Sequence, residues 1–235
     1  MVKNGIILLF IEILYLNLHT ILNLYSVFYV YNKRKLLFME KVVITKERIS
    51  DLVSNSYRVA RQHGFHDDYN SPAHYMMLVL SEIGEIVEAD RKNRHADIAC
   101  FKTRVMESWT THFETWIKDT FEDEMADVVL RLCDFCGSLN VLPQMDDVMV
   151  DMSEEFAKFF GDKSVCEQCF ALSSMVVDVE RASYDADDSE MRKRLGSTLS
   201  FIFEMANYHG IDLLWHVDRK MEYNESRPRR HGKAY

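Results

Sequence analysis

Three glutamates, Glu82, Glu85 and Glu88, interrupt an otherwise apolar run that opens HYMMLVL and continues SEIGEIVEAD. Farther along, FEDEMADVVLRL sets Glu124 and Asp127 three residues apart, just ahead of Val128, Val129, Leu132 and, later, Leu139. Residues three apart share a helical face, so two helices otherwise built for the interior each turn a carboxylate pair inward. Four acids packed together in a dry site cannot all stay ionised; either a cation neutralises them or their pKa values rise. Acids are rarely buried without a partner. Hard oxygen donors with positions to spare suit Mg²⁺ or Mn²⁺, above all when a phosphate completes the shell. A di-iron carboxylate bundle would need Glu-x-x-His on facing helices, and no Glu in this chain has a His at that spacing.

Helices must hold these acids, and the sequence supplies little else. Among 235 residues, 48% of them hydrophobic, there are only 8 Gly and 3 Pro. KVVIT (41–45) is the one strand-like scrap, and nearly everything beyond residue 45 follows the helical period. Thr45 can cap a helix that stops at Gly64, and Ser71-Pro72 opens the helix with the first acids. An amphipathic segment is expected around 101–118, the second acid-bearing helix from about 119 to 139, and a further segment from 146 to Gly161. SVCE (164–167) reads as a capping box, followed by helices near 188–209 and 212–224. A formal charge of −9 argues against a general nucleic-acid binder, which would carry a basic face. The expected class is an all-α helical bundle.

SEIGEIVEAD, then EDEMADVV, then KMEYNESRPRRHGKAY resembles the all-α nucleoside-triphosphate pyrophosphohydrolases, the MazG-like group that includes the dimeric dUTPases. The resemblance covers roughly 45–235, with a longer insertion at 91–119, and Ser81 stands where the family pattern opens with Glu. It implies cleavage of an NTP or dNTP to the monophosphate and pyrophosphate. It also implies Mg²⁺ held by Glu82, Glu85, Glu124 and Asp127. Such a hydrolysis needs cations on the phosphate oxygens and a water held in line; Glu82 first, and Glu85 second, are the candidates for orienting or deprotonating that water. The tail, 219–235, sets six Lys or Arg against two Glu. Lys220, Asn224 and Arg227, at i, i+4 and i+7, share a face that can grip a triphosphate. The resemblance adds His231 and Lys233 as closing contacts, and a homodimer as the assembly unless an internal repeat replaces one partner.

Such a repeat is readable. Residues 78–92 align with 170–184, and 123–141 with 193–211. In this register Glu82, Glu85, Glu124 and Asp127 stand opposite Ser174, Val177, Arg194 and Ser197, so apolar positions persist while the acids vanish. The expected organisation is a metal-binding half at 45–161, a degenerate half at 162–224 and a basic tail at 225–235. Chance likeness between amphipathic helices is the competing account. CDFC (133–136) and CEQC (166–169) read as core cysteines, with structural zinc as the alternative. Trp109, Phe113 and Trp116 form a stripe that either packs on the bundle or covers a nucleobase. Residues 5–31 are apolar enough to cross a bilayer and precede Lys33, Arg34 and Lys35. They read either as a signal anchor or as an extension upstream of a start at Met39; in both cases the functional part is cytoplasmic, and a membrane is a partner only in the first. A second functional class, a nucleotide-binding or regulatory module with little turnover, is separated from the enzyme by turnover of the 39–235 fragment.

Overall fold

Phe121–Leu139 buries more of its side chains than any other described helix, and the other elements are arranged around it. The computed structural model describes residues 43–103, 108–145, 148–149, 154–185 and 188–232. In chain order these form β1 (Val43–Ile44), α1 (Lys46–Gln62), α2 (Pro72–Arg91), α3 (Ile98–Lys102) and α4 (Trp109–Trp116). They continue with α5 (Phe121–Leu139), β2 (Val148–Met149), α6 (Glu154–Asp162), α7 (Val165–Ala182), α8 (Ser189–Tyr208) and α9 (Leu213–Ser226). A 3₁₀ turn, Arg229–Gly232, follows α9. The apolar segment 5–31 lies outside the described residues, among which no helix is long and apolar enough to cross a membrane.

Local chemistry sets the helix starts. Thr45 accepts from Arg48 N, Ser71 from His74 N with Pro72 at the first helical position, and Thr120 from Asp123 N. Ser164 and Glu167 form the expected capping box. The segment expected at 101–118 is instead two short helices, α3 and α4, packed on each other. The segment expected to be helical from 146 begins with β2, which pairs antiparallel with β1 through Val43–Met149 and Ile44–Val148; its helix, α6, spans only Glu154–Asp162. The β-branched Val43 and Ile44 had no partner visible in the sequence, and Val148–Met149 is the strand that pairs with their backbone groups.

α2, α5, α8 and α7 form a closed ring of packed neighbours, while α1 and α9 flank α5 and α6 lies on α8. The core is apolar and continuous: Val79, Ile86, Met125, Val129, Leu132, Phe135, Leu172, Val179, Leu199 and Ile202 are all fully enclosed. Each such side chain contributes about 1.5–3 kcal/mol of transfer free energy. α1 approaches α5 closely enough that a Cβ on Gly137 would fall 2.4 Å from the Tyr57 Cβ, so only glycine fits this crossing.

Burial reveals how the two helix pairs correspond. Met76, Val79, Ile83, Ile86 and Ala89 of α2 match Cys169, Leu172, Val176, Val179 and Ala182 of α7, all buried and each 93 residues on. The N-caps Ser71 and Ser164 share that offset. Met125, Val129, Leu132, Phe135 and Cys136 of α5 match Leu195, Leu199, Ile202, Met205 and Ala206 of α8 at an offset of 70. Both helices end alike: Asn140 and Gly210 take φ of 54° and 73°, and Val141 N and Ile211 N reach back to Cys136 O and Ala206 O. At this first offset, one residue from that of the letter alignment, Glu82 and Glu85 stand opposite Met175 and Asp178.

Candidate metal centre

Glu82 on α2 and Glu124 and Asp127 on α5 bring one carboxylate oxygen each within 4.8 Å of one another. Among the described residues no other grouping of His, Cys, Asp or Glu does so; the cysteines, of which Cys133, Cys136 and Cys169 are buried, form no such cluster. Packing explains the convergence. Glu82 rides on the buried stripe of Met76, Val79, Ile83 and Ile86. Thr120 starts α5 so that Asp123 and Glu124 fall in its first turn, where the helix dipole favours acids.

Two cations pair with these acids, contacts that the sequence did not indicate. Arg131, one turn beyond Asp127 on α5, donates from Nε to Glu82 Oε1 at 3.0 Å, and its Nη2 lies at the same distance. Lys220 of α9, 4% exposed, sits 2.6 Å from Asp123 Oδ2 and 2.7 Å from Asp127 Oδ2. Lys220 is therefore a buried ion-pair partner of the acids, and it lines the same cleft as Asn224 and Arg227. Asp123, fully enclosed, is the acid that the sequence reading left out. Burial pushes its carboxyl up to about 6 against the pull of Lys220. Burial alone would lower Lys220, but Asp127 and Asp123 outweigh it and hold it above its ordinary range. Burial, then the Asp127 charge, also raises Glu82, with Arg131 opposing.

Glu124 is the least compensated. Its Oε2 is buried with no hydrogen-bond partner, and burial followed by repulsion from Asp127 pushes its carboxyl up to about 9. With Glu82, Asp123, Glu124 and Asp127 all ionised, Arg131 and Lys220 leave two negative charges unbalanced. An all-oxygen donor set with that deficit and an orphaned oxygen fits a divalent Mg²⁺ or Mn²⁺. Glu82, Glu124 and Asp127 are the residues that would hold it. Glu85 is exposed and stays outside their convergence, although its charge reaches Glu82 and Glu124.

The three acids lie in a cleft with a cavity volume of about 180 Å³ whose wall also includes Glu85, Lys118, Asn224 and Arg227. Asn224 Oδ1 has no hydrogen-bond partner. Lys118, at the end of the insertion, pairs with Asp119 and adds a cation that the sequence did not single out. The side chain of His231 and the whole of Lys233 lie outside the described residues. Phe113 is fully buried between Trp109 and Tyr223, at centroid distances of 5.4 Å and 4.5 Å. Phe113 thus braces α9, and the aromatic on the cleft wall is Phe65.

The Glu124 shift has a measurable sign. Its folded value of about 9 lies above the ordinary 4.5, so between roughly pH 5 and 9 the folded chain holds a proton that the unfolded chain has lost. Stability from this group is full at the acid end and is lost as pH rises through that window. Asp123 adds a smaller loss between its ordinary 3.8 and about 6. Urea midpoints in EDTA should fall from pH 5 to 9, and Glu124→Gln should flatten the upper part of the curve. No protein-family model matches this chain, and no curated protein or solved structure matches it either.

Proposed function

We propose that this protein is a Mg²⁺-dependent nucleotide pyrophosphohydrolase that cleaves an NTP or dNTP to the monophosphate and pyrophosphate. The observation that carries the reading is the meeting of Glu82, Glu124 and Asp127 in a cleft walled also by Arg227, Lys118 and Asn224. A bound divalent cation would supply charge neutralisation at the phosphate oxygens. Arg227 and Lys118 would bind the outer phosphates, which the carboxylates repel. Asn224 can donate an amide N–H to a phosphate oxygen. Glu85, exposed on the cleft wall, is better suited than Glu82 to orient water and take its proton, because Glu82 Oε1 is occupied by Arg131. Arg131 and Lys220 hold the acids in place and balance half their charge.

The matched burial of α2 and α5 with α7 and α8 supports an internal duplication whose second half carries Met175, Arg194 and Ser197 where the first carries Glu82, Glu124 and Asp127. The site nevertheless draws on both halves, because α9 contributes Lys220, Asn224 and Arg227 to acids on α2 and α5.

A pyrophosphate-release screen against the common NTPs and dNTPs with Mg²⁺ tests the reading. Stoichiometric pyrophosphate and monophosphate are expected; no release, or orthophosphate alone, would sink it. Within that assay, Arg227→Ala should cost about 1.5–3 kcal/mol, the range for a charged hydrogen bond. That is roughly ten- to a hundredfold in kcat/KM, with Mg²⁺ affinity of the free protein unchanged by calorimetry.

A further inference from the structure

We infer that the end of this cleft remote from the acids is a base-reading subsite for a guanine nucleotide, read by Asp134 and Ser56; the inference rests on the pyrophosphohydrolase reading. Helix α5 acts as a ruler. Glu124, Asp127, Arg131 and Asp134 recur at intervals of three, four and three, so they run along one face. At 1.5 Å per residue, Asp134 lies about 10 Å beyond Asp127 along the axis. That span is comparable to the distance from the phosphates of a nucleotide to the far edge of its base.

The wall there changes character. Val59, Ala60, Phe65 and Leu130 supply apolar surface for the faces of a flat ring. Ser56 Oγ is buried, lines the cleft and has no hydrogen-bond partner. A buried hydroxyl left unpaired is costly unless a ligand completes it.

Asp134 gives the subsite its polarity. Its Oδ1 lies 2.7 Å from His66 Nε2, and the Tyr75 hydroxyl lies 3.0 Å from His66 Nδ1. A carboxylate only accepts, so His66 donates from Nε2 to Asp134, while its Nδ1 is within hydrogen-bond distance of the Tyr75 hydroxyl. The His66 ring is held against Tyr57 and Tyr75, with centroids 4.7 Å and 5.9 Å away. This chain pins Asp134 as an acceptor on the cleft wall. Guanine alone among the common bases presents two adjacent N–H donors, at N1 and the 2-amino group, to such a carboxylate. Uracil and thymine offer one N–H between two carbonyl oxygens, and adenine and cytosine offer an amino group beside a bare ring nitrogen. Each of these sets a lone pair against Asp134. Ser56, able to donate or accept, can satisfy a remaining acceptor on the ring.

The test measures kcat/KM of the full chain with Mg²⁺ for GTP, ITP, XTP, ATP, CTP and UTP. GTP should be preferred over each other common base, and over ITP, which lacks only the 2-amino group, by on the order of tenfold or more, the discrimination expected of a two-point base contact. Asp134→Asn, which places an amide donor where the carboxylate accepted, should lose the GTP preference and gain activity on XTP, whose 2-oxo group accepts. The wild-type GTP-to-ITP ratio needs no variant, so the inference stands or falls even if Asp134→Asn fails to fold. Turnover of all bases at similar rates, or a GTP-to-ITP ratio near one, overturns the guanine subsite and leaves the pyrophosphohydrolase reading intact. Absence of turnover on every nucleotide overturns that reading, and the subsite with it.

Discussion

Glu124→Gln should lower kcat/KM by about a hundredfold or more while leaving the fold standing. Glu124 is held at about 9, so the cation-free carboxyl is already protonated near pH 7. Glutamine reproduces that neutral group in size and polarity, and the neutral-pH melting temperature should stay level or rise. What the variant loses is the anionic oxygen that a divalent cation requires. Removing a ligand forfeits part of the several kcal/mol of charge stabilisation such a cation contributes. Linkage supplies an independent readout: Mg²⁺ should raise the melting temperature of the wild type but much less that of the variant. Turnover near the wild-type value would remove Glu124 from the centre. A collapsed melting temperature would instead mean that its role is structural.

Lys220→Met carries the largest expected effect on stability, about 3–5 kcal/mol, the usual cost of leaving a buried charge without its partner. The ammonium is enclosed, lies between Asp123 and Asp127, and sits 6.0 Å from the centre of the Phe113 ring. Methionine fills similar space but leaves two carboxylates facing each other in a low-dielectric site. For a domain of this size the drop corresponds to a fall in Tm of roughly 10 °C. Adding Asp123→Asn should restore part of the loss, and the coupling in that double-mutant cycle isolates the ion pair from the packing. Mg²⁺ should stabilise Lys220→Met more than the wild type, because the cation then neutralises an Asp127 that no longer has the ammonium. Denaturant unfolding with and without Mg²⁺ measures all of this. An unshifted midpoint for Lys220→Met would show that the triad adds no net stability.

These two experiments probe residues that the sequence exposed to different degrees. Glu124, with Asp127 and Glu82, was legible because a helix's inward face is written in its own period, and acids on that face have few explanations. Glu85 was not separable from Glu82, since three residues turn a helix through about 300°, which leaves Glu85 some 60° around the barrel. Only the packing of α5 and α9 shows that this shoulder stays open. Lys220 was read as a phosphate contact because its spacing to Asn224 and Arg227 is a local property. Its ion-pair partners, Asp123 and Asp127, are more than ninety residues away.

The sequence by itself determined the helical class and the helix starts at Thr45, Ser71 and Ser164, because such a cap acts on backbone groups within four residues. It put Glu82, Glu124 and Asp127 on inward faces, and it showed an apolar pattern in 170–211 similar to that in 78–141. The tertiary structure alone decided which elements lie across from those faces. It paired Arg131 with Glu82, His66 with Asp134 and Lys220 with Asp123. It moved the α2–α7 correspondence by one residue, made a strand of Val148–Met149, and turned Phe113 toward Tyr223 instead of the cleft. The physical reason is common to all of these. Periodicity and capping arise from interactions along one helix, whereas burial, ion pairing and pKa depend on the dielectric and charge that a second, distant segment brings.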